Sequence, residues 1–91
     1  MATNKTEGHI LKNPHYIAKQ MFYGLKGRIE ETDIRTAMAL QPVLNLVLEY
    51  FIRTDTKNFE RLEMAIKLFS DYDEVKPIIP HIESIKELYY D

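Results

Sequence analysis

One stretch, Asp33 to Asp55, limits what this chain can fold into more than any other. From Ala37 to Ile52 the only positions that are not apolar are Gln41, Pro42, Asn45 and Glu49. Gln41, Asn45, Glu49 and Arg53 are spaced four apart, which on a helix draws one narrow polar ribbon. Leu46-Val47-Leu48 and Tyr50-Phe51-Ile52 do not alternate, so a strand is excluded. A helix that is apolar over most of its circumference has to be covered on several sides. Gln, Asn, Glu and Pro interrupt the run too often for a membrane span, which needs about 20 apolar residues. The run is therefore the hub of a helical bundle or half of a subunit interface.

Pro42 divides it. A proline inside a helix lacks an N–H and meets the carbonyl four residues back, whereas in a first turn it is well accommodated. The expectation is a short helix over Asp33–Leu40, a bend at Gln41 and a main helix over Pro42–Arg53. One kinked helix is the close alternative. Glu49 and Arg53 form an i,i+4 pair in the favourable order.

The flanking segments carry helical signals of their own. Asn13-Pro14 is a cap followed by a proline at the first helical position. Ile17, Ala18, Met21, Phe22 and Leu25 make the buried stripe of the helix that follows, and Gly27 is the expected left-handed stop. Thr32 or Asp33 caps the next segment. After Thr54-Asp55-Thr56, a helix over Lys57–Tyr72 carries Phe59, Leu62, Ala65, Ile66, Phe69 and Tyr72 inward. Glu60, Arg61, Glu63, Lys67 and Asp71 lie on its outer face, with Glu63–Lys67 a second i,i+4 pair. The last helix, Pro77–Tyr90, starts at Pro77 or Pro80 and turns Ile78, Ile82, Ile85 and Tyr89 inward. Residues 1–12 are polar and without period and read as a flexible arm; residues 13–91 read as a single helical domain. The predicted fold is all-α, a bundle of about four helices around the central, proline-interrupted apolar helix.

Size and charge narrow the function. A chain of 91 residues buries only about 60–65% of its unfolded surface and is marginally stable alone. It has no cysteine, which removes disulfides and thiolate metal sites as support and leaves dimerisation as the obvious source. The first twelve residues have no apolar core like a signal peptide's, and the expected location is cytoplasmic. The net charge of −2 conceals an asymmetry. Residues 1–28 carry Lys5, Lys12, Lys19, Lys26 and Arg28 against Glu7, a net of +4; residues 29–91 carry a net of −6.

The catalytic and metal-binding patterns are missing. There is no HExxH, CxxC, P-loop or glycine-rich cradle, and His9, His15 and His81 lack a histidine partner at i+3 or i+4. Asp71, Asp73 and Glu74 fail as a calcium loop, because the fifth and sixth positions are Val75 and Lys76 instead of an oxygen ligand and Gly. No enzyme activity, cofactor or metal is expected. Small size and the lack of motifs are in keeping with a phage or mobile-element product.

Two functional readings remain. In the first, the chain is a noncatalytic helical interaction protein that buries an apolar face against a protein partner or a second copy, as a homodimer or higher oligomer. Leu40, Leu44, Leu48 and Phe51 are its expected partner surface, and Val43, Leu46, Val47 and Tyr50 its expected core. In the second, the N-terminal part binds nucleic acid, a nucleotide or another phosphorylated ligand. Tyr16, Lys19, Tyr23 and Lys26 fall on one face of the first helix, so Lys12, Lys19, Lys26 and Arg28 would meet phosphate while Tyr16 and Tyr23 stack on bases. The plainer reading of that stripe is lysines facing water and tyrosines lying over apolar neighbours. A helix-turn-helix is rejected, since the would-be reading helix from Pro42 offers no Arg or Lys before Arg53.

Overall fold

The computed structural model describes residues 13–90. They form an all-α bundle of α1 (Pro14–Glu31), α2 (Ile34–Ile52), α3 (Thr56–Leu68) and α4 (Ile79–Ile85). A 3₁₀ turn, Lys76–Ile78, leads into α4, and a π-helical turn, Lys86–Tyr90, continues it. The expected arm Met1–Lys12 lies outside the described residues.

The caps are those written in the sequence. Asn13 Oδ1 accepts the His15 N–H at 2.8 Å, Asp33 accepts the Thr36 N–H at 3.1 Å, and Asp55 accepts the Asn58 N–H at 2.8 Å. Each satisfies a donor that the first helical turn leaves without a partner. The Thr36 hydroxyl also donates to Asp33, at 2.6 Å. Together the two Thr36 donors hold the Asp33 carboxyl below its ordinary range.

The short links make successive helices antiparallel. α2 is the hub: α1 packs along one flank and α3 along the other, and α4 returns beside α1. Ala18, Met21 and Leu25 of α1, Leu40, Val43, Val47 and Tyr50 of α2, Phe59, Leu62 and Ile66 of α3, and Val75, Ile78, Ile82 and Ile85 are all buried in one core. Tyr50 apart, no buried side chain among the described residues is polar or charged.

Three local expectations are corrected. The short helix, bend and second helix expected around Gln41 are one continuous helix, with Pro42 inside it. Pro42 lies on the exposed face, one turn beyond the exposed Met38, so the Met38 carbonyl that it deprives of an N–H faces water. α1 does not stop at Gly27 but runs to Glu31. No described residue has positive φ, so neither Gly24 nor Gly27 acts as a left-handed cap. The chain leaves the helix instead through Thr32 in extended backbone, and the Thr32 hydroxyl donates to Glu74 at 2.8 Å. α3 ends at Leu68, with Phe69 as its C-cap, not at Tyr72.

The last turn shows why Tyr90, not Tyr89, packs inward. In α-helical phase Tyr89 would follow Ile82 and Ile85 onto the inner face. A π turn spaces equivalent positions five apart, which carries Tyr90 into line below Ile85. Tyr90 then stacks on Phe59, ring centroids 4.6 Å apart. Its hydroxyl donates to the Thr54 carbonyl at 3.4 Å and accepts the Tyr50 hydroxyl at 3.0 Å. Burial and this hydroxyl partner push the Tyr50 phenol far above its ordinary pKa. The folded state therefore keeps Tyr50 protonated where an unfolded chain ionises it, at about pH 10. That contribution is whole below pH ~10 and is lost as pH rises beyond it. Tyr50→Phe should lower stability by about 1 kcal/mol at pH 7 and reduce the loss of stability above pH ~10. Urea midpoints of parent and variant at both pH values check this.

Candidate interaction surface

Leu40 and Leu44, read from sequence as partner surface, are 0% and 8% exposed and belong to this chain's own core. Leu48 and Phe51 are half-buried. Phe51 faces α1, where its ring lies 4.5 Å from His15 and stacks with Phe22 at 6.4 Å. Its carbonyl shares a 2.8 Å hydrogen bond with His15 Nδ1. Of the residues assigned to the core, Val43, Val47 and Tyr50 are buried and Leu46 is half-buried. α2 is thus clad by α1 and α3 on the sides that carry its leucines.

The polar ribbon is where its spacing put it: Gln41, Asn45, Glu49 and Arg53 are all exposed. The Gln41 amide donates to Asn45 at 3.0 Å. The Glu49–Arg53 pair does not form. Arg53 is the C-cap, with φ −137° and ψ 94°, so its side chain has left the helical register of the ribbon.

The apolar surface left over lies beside this ribbon. Ile34, Met38 and Ile52 of α2 and Met64 and Leu68 of α3 are each between 67% and 78% exposed. By helical phase the three on α2 share one face of that helix and the two on α3 share one face of theirs. Near their connecting turn, Glu49 and Ile52 of α2 and Lys57 and Arg61 of α3 line a common hollow of about 380 Å³. Away from that turn the exposed residues of the two outer faces include Asn45, Pro42 and Met38 on α2 and Met64 and Leu68 on α3. The outer faces therefore run from a charged end at the turn to an end rich in methionine, leucine and proline. Methionine is flexible and polarisable and adapts to varied apolar surfaces.

A second concave region separates α3 from α4. Ile66, Ile79 and Ile82 floor a groove of about 590 Å³, with Lys67, Glu83 and Glu87 on its rim. Lys86 bridges it to Glu63 at 3.1 Å.

The α1 stripe is exposed as expected: Tyr16, Lys19, Tyr23 and Lys26 all face solvent. Several polar groups on this helix have local partners. Gln20 donates to the Tyr16 hydroxyl at 3.0 Å, Lys26 pairs with Glu30 at 3.0 Å, and Arg28 folds back onto the Gly24 carbonyl at 3.0 Å. Lys12 lies outside the described residues. In the acidic segment, Asp73 pairs with Lys76 at 3.3 Å. No group of three or more potential metal ligands is assembled among the described residues. Nor is any described helix long and apolar enough to cross a membrane.

Comparison with protein-family models, curated proteins and solved structures gives no match.

This division between core and surface has a direct consequence for stability. Leu40→Ala should cost about 2–5 kcal/mol, the range for a leucine in a packed core. Leu68→Ala should stay within about 0.5 kcal/mol, as for surface sites. Chemical denaturation of the two variants measures the contrast.

Proposed function

We propose that this chain is a noncatalytic helical interaction protein acting in the cytoplasm, a small regulator, inhibitor, adaptor or assembly factor. It works by burying the outer apolar face of α2 and α3 against a protein partner or a second copy. One observation carries the reading: five large apolar side chains stand mostly exposed on two adjacent helices, while the rest of the apolar surface of α2 is covered by α1 and α3. Scattered exposed apolar residues are ordinary, but a contiguous group marks an interaction surface. Fully burying one such side chain contributes about 1.5–3 kcal/mol. Several together offset the loss of translational and rotational freedom on association.

The phosphate-binding alternative has less support. It needs unpaired cations beside stacking rings, and on α1 Lys26 is already paired with Glu30 while Arg28 is turned onto its own helix. Lys19 and Tyr23 alone are a small site for a polyanion, whose binding scales with the number of phosphates neutralised.

Native mass spectrometry on gently purified protein tests the proposal. The parent should carry a second protein mass beyond its own 10.8 kDa, either a partner or another copy. The Met64→Ser/Leu68→Ser variant, folded by circular dichroism, should fly as the bare chain. A parent that flies alone removes the proposal's support. An added mass of nucleotide size, lost in Lys19→Ala/Lys26→Ala, would replace the proposal with phosphate recognition.

A further inference from the structure

On the outward face of α3, Lys57 and Asp71, and Glu60 and Lys67, stand as unlike charges on either side of a central Met64, while Arg61 and Lys67, each three residues from it, are both cations. Reading along it, the exposed positions are Lys57, Glu60, Arg61, Met64, Lys67, Leu68 and, just past the helix, Asp71. Met64 sits at the middle. Seven residues before it is a cation and seven after it an anion. Four before it is Glu60, and three after it is Lys67. We infer that α3 is a dimer seam, on which a second copy of this chain docks antiparallel through the same face about a two-fold axis at Met64. This inference rests on the interaction reading above and commits it to one occupant.

The sidedness of the face supports the pairing. Glu60 and Lys67 lie toward α4: Glu60 lines a hollow with Lys86 and Tyr89, and Lys67 lines the groove with Ile79 and Ile82. Arg61 lies toward α2, lining a hollow with Glu49 and Ile52, and Leu68, seven residues on, shares its helical phase. A two-fold axis in the interface and perpendicular to α3 reverses the helix direction but keeps each side on its side. Glu60 then meets Lys67 of the second copy, and Arg61 lays its aliphatic stem over Leu68 of the second copy. Lys57 comes level with Asp71 of the second copy, and Met64 meets its own equivalent. Symmetry repeats each unlike pair. A parallel arrangement instead sets Lys57 against Lys57 and Asp71 against Asp71, and like charges so placed repel.

The charged groups are available for such pairing. Lys57, Glu60, Arg61 and Asp71 make no ion pair within the chain among the described residues. Lys67 has one acidic neighbour, Glu63, at 4.0 Å. That carboxylate is held more closely by Lys86, at 3.1 Å. Lys67 is thus the outer member of a three-charge cluster and can turn to a second acid without breaking the closer bond. A chain of this size buries a smaller fraction of its surface than a larger domain does, and a second helical layer across α3 adds cover where Met64 and Leu68 now meet water.

The test is a charge-swap series read by sedimentation equilibrium, with circular dichroism confirming the fold of each variant. The parent should show a monomer–dimer equilibrium. Glu60→Lys alone and Lys67→Glu alone each create two like-charge contacts and should weaken the dimer about tenfold. The double variant Glu60→Lys/Lys67→Glu restores both contacts and should recover parental affinity. Because the chain has no cysteine, Met64→Cys should also cross-link into a dimer on mild oxidation, the two thiols meeting at the axis, whereas Lys57→Cys should not. A dimer indifferent to both single swaps, or one that cross-links through Lys57→Cys, overturns the antiparallel α3 seam and leaves self-association by another face. A parent that is monomeric to millimolar concentration overturns the inference too. The interaction reading then survives only if native mass spectrometry finds a different protein whose binding is lost in Met64→Ser/Leu68→Ser.

Discussion

The bundle depends on the need to cover α2. A helix with apolar residues around most of its circumference is not stable in water on its own, and every other element of this chain is placed by that fact. α1 and α3 flank it, joined to it by links too short to allow anything but antiparallel neighbours. α4 then closes the remaining side of the core by lying beside α1. The closure is fastened at one end by a single chain of hydroxyl contacts, from Tyr50 through Tyr90 to the Thr54 carbonyl. That chain ties the end of α2, the turn before α3 and the last residues described into one unit. Tyr50 can be buried only because Tyr90 supplies its partner, since an unpaired buried hydroxyl is costly.

Much of this was legible in the sequence because it follows from periodicity and capping chemistry. The caps at Asn13, Asp33 and Asp55, the inner stripes of α1 and α3, and the exposed ribbon from Gln41 to Arg53 are all local consequences of residue order. The departures share a different cause: each depends on which side of a helix meets water or a neighbour. Pro42 reads as a breaker, yet it sits on the solvent side, where the carbonyl it frees can bond to water, and α2 continues. Gly27 reads as a stop, but a glycine ends a helix only when the chain turns left-handed there, and here it does not. Tyr89 follows the α-helical phase, and the π turn advances the register by one residue.

The same limit governed the reading of the surface. All the leucines of the central run are equivalent by composition, and phase alone does not say which flank α1 or α3 covers. Leu40 and Leu44 proved to be core, and the exposed apolar face was found at Ile34, Met38, Met64 and Leu68 instead. Met64 and Leu68 carried a legible signal: they fall outside the inner stripe of α3, in phase with Lys57, Glu60 and Arg61. An apolar pair among charges at that phase is a pattern for contact with something outside the chain. On α1 the opposite holds, since its conspicuous tyrosines and lysines are largely occupied with their own neighbours.

The outward face of α3, as proposed, is a seam between two copies of this chain. The most direct measurement is the concentration dependence of backbone amide chemical shifts in ¹H–¹⁵N spectra of the full chain. Dilution should move the amides around Glu60, Met64 and Lys67 progressively, while those around Lys19 and Tyr23 on α1 stay fixed. Shifts confined to α1, or spectra that do not change at all with concentration, would contradict it.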